Sequence, residues 1–242
     1  METILLGISL SLNAIAAIVG LRLVQQRGGW NYIQQFWARR WHLPLQETFF
    51  PYYHHRRDQL SRLPIGPDDR VFLGDSLTDE GEWGEWFHGL SIKNRGVSAE
   101  TTTGLLQRLA PIVAGQPRQI FLLIGRNDLL GWNHPIPEVM QRYCQILQQI
   151  QQQSPHTQVY VQSLFPMNPA LCGRDRTADL VACNRHIAQL AAEFGYPYLN
   201  LFDVFANSDQ QLDPQYTCDG LHLNGAGYQR WSQVVQPYLN PS

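Results

Sequence analysis

The chain has 242 residues, room for one large domain or for one domain with an appendage. Hydrophobic residues make up 44% and charged residues 16%, which excludes a disordered chain, and a net charge of −2 argues against a broad basic surface for nucleic acid. The charge is uneven: residues 1–70 hold eight Arg against five acids, while the remainder carries ten basic groups against fifteen acids. Four cysteines, Cys144, Cys172, Cys183 and Cys218, contain no C-x-x-C pair and are too scattered for a disulfide scaffold or a zinc ribbon. They read as reduced, mostly buried thiols.

From Ile4 to Leu21 the chain runs without a charge. A helix of that length measures about 27 Å, close to the ~30 Å of a bilayer core. No basic residue precedes it, as a secretory signal requires, so it reads as an uncleaved anchor over residues 1–24. Arg22, Arg27, Arg39 and Arg40 all follow the run, which places the body on the cytoplasmic side. The competing reading is a bundle helix packed on the body.

Residues 25–66 interleave Trp30, Tyr32, Phe36, Trp37, Trp41, Phe49, Phe50, Tyr52 and Tyr53 with Arg39, Arg40, Arg56 and Arg57. This mixture suits either a membrane–water boundary in contact with lipid or a helical lead-in whose aromatics cap the core. His54 and His55 lack acidic or Cys partners at ligand spacing and read as surface residues.

From residue 67 to the end, short apolar runs alternate with segments of helical spacing. The predicted strands are Arg70–Gly74, Ile92–Val97, Gln119–Gly125, Gln158–Leu164 and Tyr198–Phe202. The predicted helices are Thr102–Val113, Pro137–Gln153, Thr177–Phe194 and Ala226–Leu239. Strands of four to seven residues between helices of ten or more predict a parallel sheet covered on both faces, a three-layer α/β/α domain with an N-terminal helical extension. Ligands in such sheets gather at the carboxyl ends of the strands.

Four strand-to-loop junctions carry suitable chemistry. The first strand ends in Gly74-Asp75-Ser76-Leu77, a tight turn that exposes a serine hydroxyl at a helix N-terminus. The last helix is preceded by Asp219-Gly220-Leu221-His222, where a carboxylate three residues from an imidazole can fix its tautomer. Gly96, ending the second strand, offers a backbone N–H, and Asn127, after the third, offers an amide; both suit a developing oxyanion. The α/β-hydrolase elbow fails at Thr78, and no phosphate loop is present.

Together, Gly74-Asp75-Ser76-Leu77, Gly96, Gly125-Arg126-Asn127-Asp128 and Asp219-Gly220-Leu221-His222 resemble the four blocks of the SGNH (GDSL) hydrolase superfamily, over roughly residues 68–240. GDSLTDEGEW and NRGVSAETTTGLLQRL look most like the branch of platelet-activating-factor acetylhydrolase and bacterial GDSL lipases and acylhydrolases. The resemblance implies a flavodoxin-like five-stranded sheet and ester hydrolysis through an acyl-serine, with no metal or cofactor. It implies Ser76 as nucleophile, His222 as general base and then acid, Asp219 orienting His222, and oxyanion donors from the Ser76 N–H, the Gly96 N–H and Asn127. Arg126 departs from the small residue common at its position; it narrows the pocket, engages an anionic substrate or points to solvent.

Other nearby residues invite plainer roles. Asp75 and Asp128 are expected to hold loops and Ser98 to cap the helix near Thr101, while Trp83 and Trp86 either pack the core or line the acyl pocket. The functional expectation is a membrane-tethered serine esterase for small or medium acyl esters. Alternatives are a thioesterase, lysophospholipase or acyltransferase on the same site, or a non-catalytic anchored scaffold.

Overall fold

The computed structural model describes Arg22 and residues 51–239. The anchor over 1–24 and the aromatic stretch up to Phe50 therefore lie outside the described residues, Arg22 apart. Among the described residues, no helix is long and apolar enough to cross a membrane.

Five strands form one sheet: β1 (Arg70–Gly74), β2 (Ile92–Gly96), β3 (Gln119–Leu123), β4 (Gln158–Gln162) and β5 (Tyr198–Leu199). All pairings are parallel and the order is β2-β1-β3-β4-β5. This is the flavodoxin-like order, in which the chain reverses direction across the sheet between β1 and β3. In sheets of this order, ligands bind where the chain reverses, which here is the carboxyl end of β1.

The alternating side chains of the strands build two different layers. Val71, Leu73, Ile120, Leu122, Val159 and Val161 face an aliphatic layer. The helices over that face are α4 (Thr102–Arg108), α5 (Ala110–Ala114), α7 (Ile136–Gln153) and α9 (Thr177–Glu193). In α7, Val139, Tyr143, Ile146 and Ile150 recur at helical spacing and are fully buried, which fixes the face it turns to the sheet.

The opposite face is aromatic. Phe72, Phe121 and Tyr160 sit in register on adjacent strands and stack, with centroids 5.0 Å and 4.7 Å apart. Trp83, from the short α3 (Trp83–Trp86), stacks on Phe72 at 4.2 Å and meets Trp231 of α11 (Gly225–Leu239) edge-on at 4.7 Å. Rings of this size contribute packing beyond their buried area, so the aromatic layer ties the last helix firmly to the first strand. Trp83 is buried as expected, whereas Trp86 is 39% exposed.

Several elements differ from expectation. The predicted strand Tyr198–Phe202 stops at Leu199, because Asn200 accepts from the Asp203 N–H and caps the short helix α10 (Leu201–Phe205). The predicted helix Thr102–Val113 divides between Arg108 and Ala110, since Pro111 has no N–H for a carbonyl one turn back. Of the four thiols, only Cys183 is buried; Cys144 and Cys172 are half-buried and Cys218 is exposed.

Helix α1 (Pro51–Ser61) precedes the sheet and packs, through Tyr53 and Leu60, on Val97 in the turn just after β2. The remaining short elements α2 (Ser76–Asp79), α6 (Arg126–Leu130) and α8 (Pro169–Cys172) all follow strand ends on the site's side of the sheet.

Candidate active site

The turn after β1 leaves no room for a side chain at Gly74: a Cβ there would meet the Leu123 carbonyl oxygen and Thr78 Oγ1, each at 2.3 Å. Asp75 caps α2 by accepting from the Leu77 N–H at 3.1 Å. Ser76 is the first residue of α2, so its N–H has no intrahelical acceptor and points ahead of the helix.

The loop before α11 is held by Asp219. Its Oδ1 accepts from the N–H groups of Leu221 (2.8 Å) and His222 (2.7 Å), while its Oδ2 lies 2.7 Å from His222 Nδ1. The other imidazole nitrogen, Nε2, lies 3.1 Å from Ser76 Oγ. Burial raises the Asp219 carboxyl, but its hydrogen bonds from His222 and Leu221 outweigh that and hold it at about 2. It is therefore an anion at neutral pH, suited to holding a proton on Nδ1 and leaving Nε2 free to accept from the serine.

Packing explains how residues 146 positions apart meet. Asn224 caps α11 by accepting from the Gly227 N–H, and Tyr228 of that helix donates to the Leu77 carbonyl at 2.9 Å. The last helix is thus tied to the turn that carries Ser76.

The oxyanion candidates fare unequally. Asn127 Nδ2 donates to the Glu100 carbonyl at 2.9 Å, which leaves its second amide hydrogen available and fixes the plane of the group. Gly96 makes a different contact. Its N–H is given to Asn94 Oδ1 at 2.8 Å, and a Cβ on it would meet the Asp79 N at 2.1 Å. Its glycine identity lets β2 press against the end of α2, and its amide is occupied.

The residue missed by the sequence reading is Ala99. It has φ +66°, an unusual conformation for a side chain other than glycine, and its N–H has no partner among the described residues. Its neighbours are both engaged: Ser98 donates from N and Oγ to Asp79 Oδ2, and the Glu100 N–H bonds the Val97 carbonyl. Nothing in the letters marks an alanine as left-handed, so only the backbone reveals it. Ser98, expected as a helix cap, braces this turn, and Thr101 caps α4 by accepting from the Gly104 N–H.

Beneath the site, Asp128 is fully buried and accepts from Thr102 N (2.9 Å) and Oγ1 (2.6 Å), a loop-holding role as expected. Arg126 is 6% exposed and does not reach solvent; its Nη1 donates to the Leu221 carbonyl. Burial depresses its pKa, opposed by the nearby Asp75 carboxylate. Burial likewise pushes Asp75 up to about 6, opposed by Arg126.

The match to the family model of GDSL-like lipases and acylhydrolases covers residues 72–230. Among solved structures, one from Streptococcus pneumonia, assigned provisionally as a platelet activating factor, is 28% identical; the match covers 78% of this chain and 93% of that one, with a TM-score of 0.71. A GDSL-like lipase from Bacteroides thetaiotaomicron is 19% identical over 77% of this chain and 96% of its own, with a TM-score of 0.66. An acetyl-xylooligosaccharide esterase mutant from Geobacillus Stearmophilus is 20% identical over 74% and 98%, with a TM-score of 0.56. No curated protein matches the chain. The family match runs from β1 through the Asp219–His222 loop into the last helix, and the chain accordingly belongs to the GDSL-like lipase/acylhydrolase family and is a carboxylic ester hydrolase.

Proposed function

We propose that the protein is a serine esterase in which Ser76 attacks the acyl carbonyl, His222 takes its proton and Asp219 steadies the imidazolium. The observation that carries this reading is the 3.1 Å approach of Ser76 Oγ to His222 Nε2, with Asp219 on the far side of the ring. Attack forms a tetrahedral oxyanion, for which we assign the Ser76 N–H, the free hydrogen of Asn127 Nδ2 and the Ala99 N–H as donors. His222 then protonates the departing alcohol, leaving an acyl-serine. Water, deprotonated by the same imidazole, releases the acid and restores the serine.

The substrate reading is a small or medium acyl ester, of a lipid or an acetylated sugar. His222 and Asp219 side chains are 40% and 53% exposed, so the triad lies at an open rim that suits a bulky alcohol half and a short acyl group. A relative of the same fold is named for acetylated xylooligosaccharides, which agrees with an acetyl-sized acyl group. We extend the reading to the chain's organisation: an anchor over 1–24, a lead-in over 25–66 and the hydrolase over 67–242, with the apolar run from Ile4 to Leu21 tethering the enzyme to membrane lipid. Carbonate extraction of membranes holding the tagged chain tests the tether, and release into the soluble fraction would remove it.

The catalytic reading is tested with the full chain and a p-nitrophenyl ester series of acyl lengths two to sixteen. Ser76→Ala is expected to abolish both turnover and labelling by a fluorophosphonate, with wild-type rates highest at the short end. Unchanged turnover in Ser76→Ala would remove Ser76 from the mechanism. An added alcohol acceptor separates hydrolysis from acyl transfer.

A further inference from the structure

The family-model match begins at residue 72, and helix α1 precedes it in the chain. Two of its side chains nevertheless reach the loop that carries Ala99. Arg56 Nε lies 2.9 Å from Asp79 Oδ1 and 3.3 Å from the Gly96 carbonyl oxygen. The second oxygen of Asp79 holds Ser98 by its N–H and hydroxyl, at 3.1 and 2.9 Å. Arg56 thus clamps the end of the nucleophile helix and the near side of the turn through one carboxylate.

Tyr53 secures the far side. It is 1% exposed, and its hydroxyl donates to Glu100 Oε1 at 3.0 Å while accepting from Arg57 Nη1 at 2.6 Å. Glu100 is fully buried; its other oxygen pairs with Arg108, which in turn donates to the Gly74 carbonyl at 3.2 Å. The Glu100 main-chain carbonyl is the acceptor that orients Asn127. Helix α1 therefore braces Ser98 and Glu100, the residues on either side of Ala99, and through Glu100 the side chain of Asn127.

We propose that Tyr53 and Arg56 are positioning residues that hold the oxyanion turn of Ser98, Ala99 and Glu100 in register with Ser76. The proposal rests on the triad reading above. Neither residue touches substrate. Their contribution is to keep the Ala99 and Asn127 donors aimed at a charge that develops only in the transition state, so their loss falls on kcat and not on KM. A displacement of about 1 Å at such donors is worth up to about 10²-fold in rate.

The test uses the full chain, p-nitrophenyl acetate and a phenylboronic acid, whose tetrahedral adduct with a serine imitates the oxyanion. Tyr53→Phe keeps the buried ring and removes only the hydroxyl; Arg56→Gln removes the charge, and Arg56→Lys restores it. The expected result for Tyr53→Phe and Arg56→Gln is a kcat lowered roughly tenfold with KM within about twofold, and boronate inhibition weakened in step. Arg56→Lys is expected to recover part of the rate. Unchanged kcat and boronate affinity in folded variants would overturn the proposal, as would losses that merely track a lowered melting temperature. If Tyr53→Phe fails to fold, the Arg56 pair, on a partly exposed side chain, decides alone. Ser76→Ala in the same assay separates the two readings: residual turnover there sinks the triad, whereas a dead Ser76→Ala beside fully active Tyr53 and Arg56 variants sinks only the brace.

Discussion

Arg126 Nη1 donates a 2.6 Å hydrogen bond to the carbonyl oxygen of Leu221, the residue directly before His222. The bond links α6, which carries Asn127, to the loop that carries the imidazole. A small residue at position 126 cannot make it. In this chain a buried guanidinium therefore sets the height of the histidine loop over the sheet.

Removing that guanidinium is expected to loosen both loops. Arg126→Met fills much of the same space but leaves the Leu221 carbonyl without its donor and Asp75 without its nearby cation. Leaving a buried carbonyl without its donor costs about 1–3 kcal/mol, and urea unfolding midpoints should report a loss of that order. Turnover should fall further than stability alone explains, because His222 loses its support. Stability and activity both matching the wild type would show that the loop holds itself.

A second prediction concerns pH. Burial raises the folded-state pKa of Asp75 to about 6, from an ordinary value near 3.8. Between those values the native state binds a proton that the unfolded state has released, so stability falls as pH rises through this window. Asp219 acts in the opposite sense. Held at about 2, its contribution is complete above pH 3.8 and is lost as pH falls toward 2. Asp75→Asn keeps an oxygen to cap Leu77 and cannot ionise. Relative to wild type it should gain on the order of 3 kcal/mol between pH 4 and pH 7. Denaturation curves at four pH values check this, and a constant offset between the two proteins would remove the burial account of Asp75.

The alternation of apolar runs with helical spacings was enough to read five parallel strands and the end of the sheet at which the site lies. Gly74-Asp75-Ser76, Asn127 and the Asp219–His222 pair were legible because each combines a side chain of distinctive chemistry with a position just beyond a strand. What escaped is carried by the backbone or by distant packing. Whether the Gly96 N–H is free depends on where Asn94 turns its amide, and the conformation of Ala99 depends on the bonds made by Ser98 and Glu100. The burial of Arg126 required knowing that the Leu221 carbonyl lies within its reach. The contribution of α1 was equally hidden, since Tyr53 and Arg56 find partners more than twenty residues away.

The left-handed alanine yields a stabilising substitution. At φ +66° a side chain is strained and glycine is not, so Ala99→Gly keeps the N–H while relieving the backbone. Thermal unfolding should show a gain of roughly 0.5–1 kcal/mol, reduced by the greater freedom of glycine in the unfolded chain. Activity should be retained, because the proposed donor is main-chain. Ala99→Val, branched at Cβ, should move both quantities the other way. A destabilised Ala99→Gly would mean that the turn is not strained at this residue.

The room at Gly96 is itself testable. Alanine keeps the amide and suits a strand, so any effect of Gly96→Ala reports the space at its Cβ and not the loss of an N–H. The contacts leave no such space. A Cβ on Gly96 would lie 2.1 Å from the Asp79 N and 2.5 Å from its Cα, both backbone atoms of α2 that no rotamer change can move. Relief demands that α2 shift away from β2, carrying Ser76 with it and stretching the Arg56–Asp79 pair. Gly96→Ala should therefore lower kcat by roughly 10²-fold, the scale for a reacting group displaced by about an ångström. Fluorophosphonate labelling should slow in parallel, and the melting temperature should drop by several degrees through overpacking. The same crowding should make Gly96→Ser at least as damaging, since its larger side chain enters the same gap. A Gly96→Ala variant with wild-type labelling and turnover would mean that β2 and α2 are not pressed together as their contacts require.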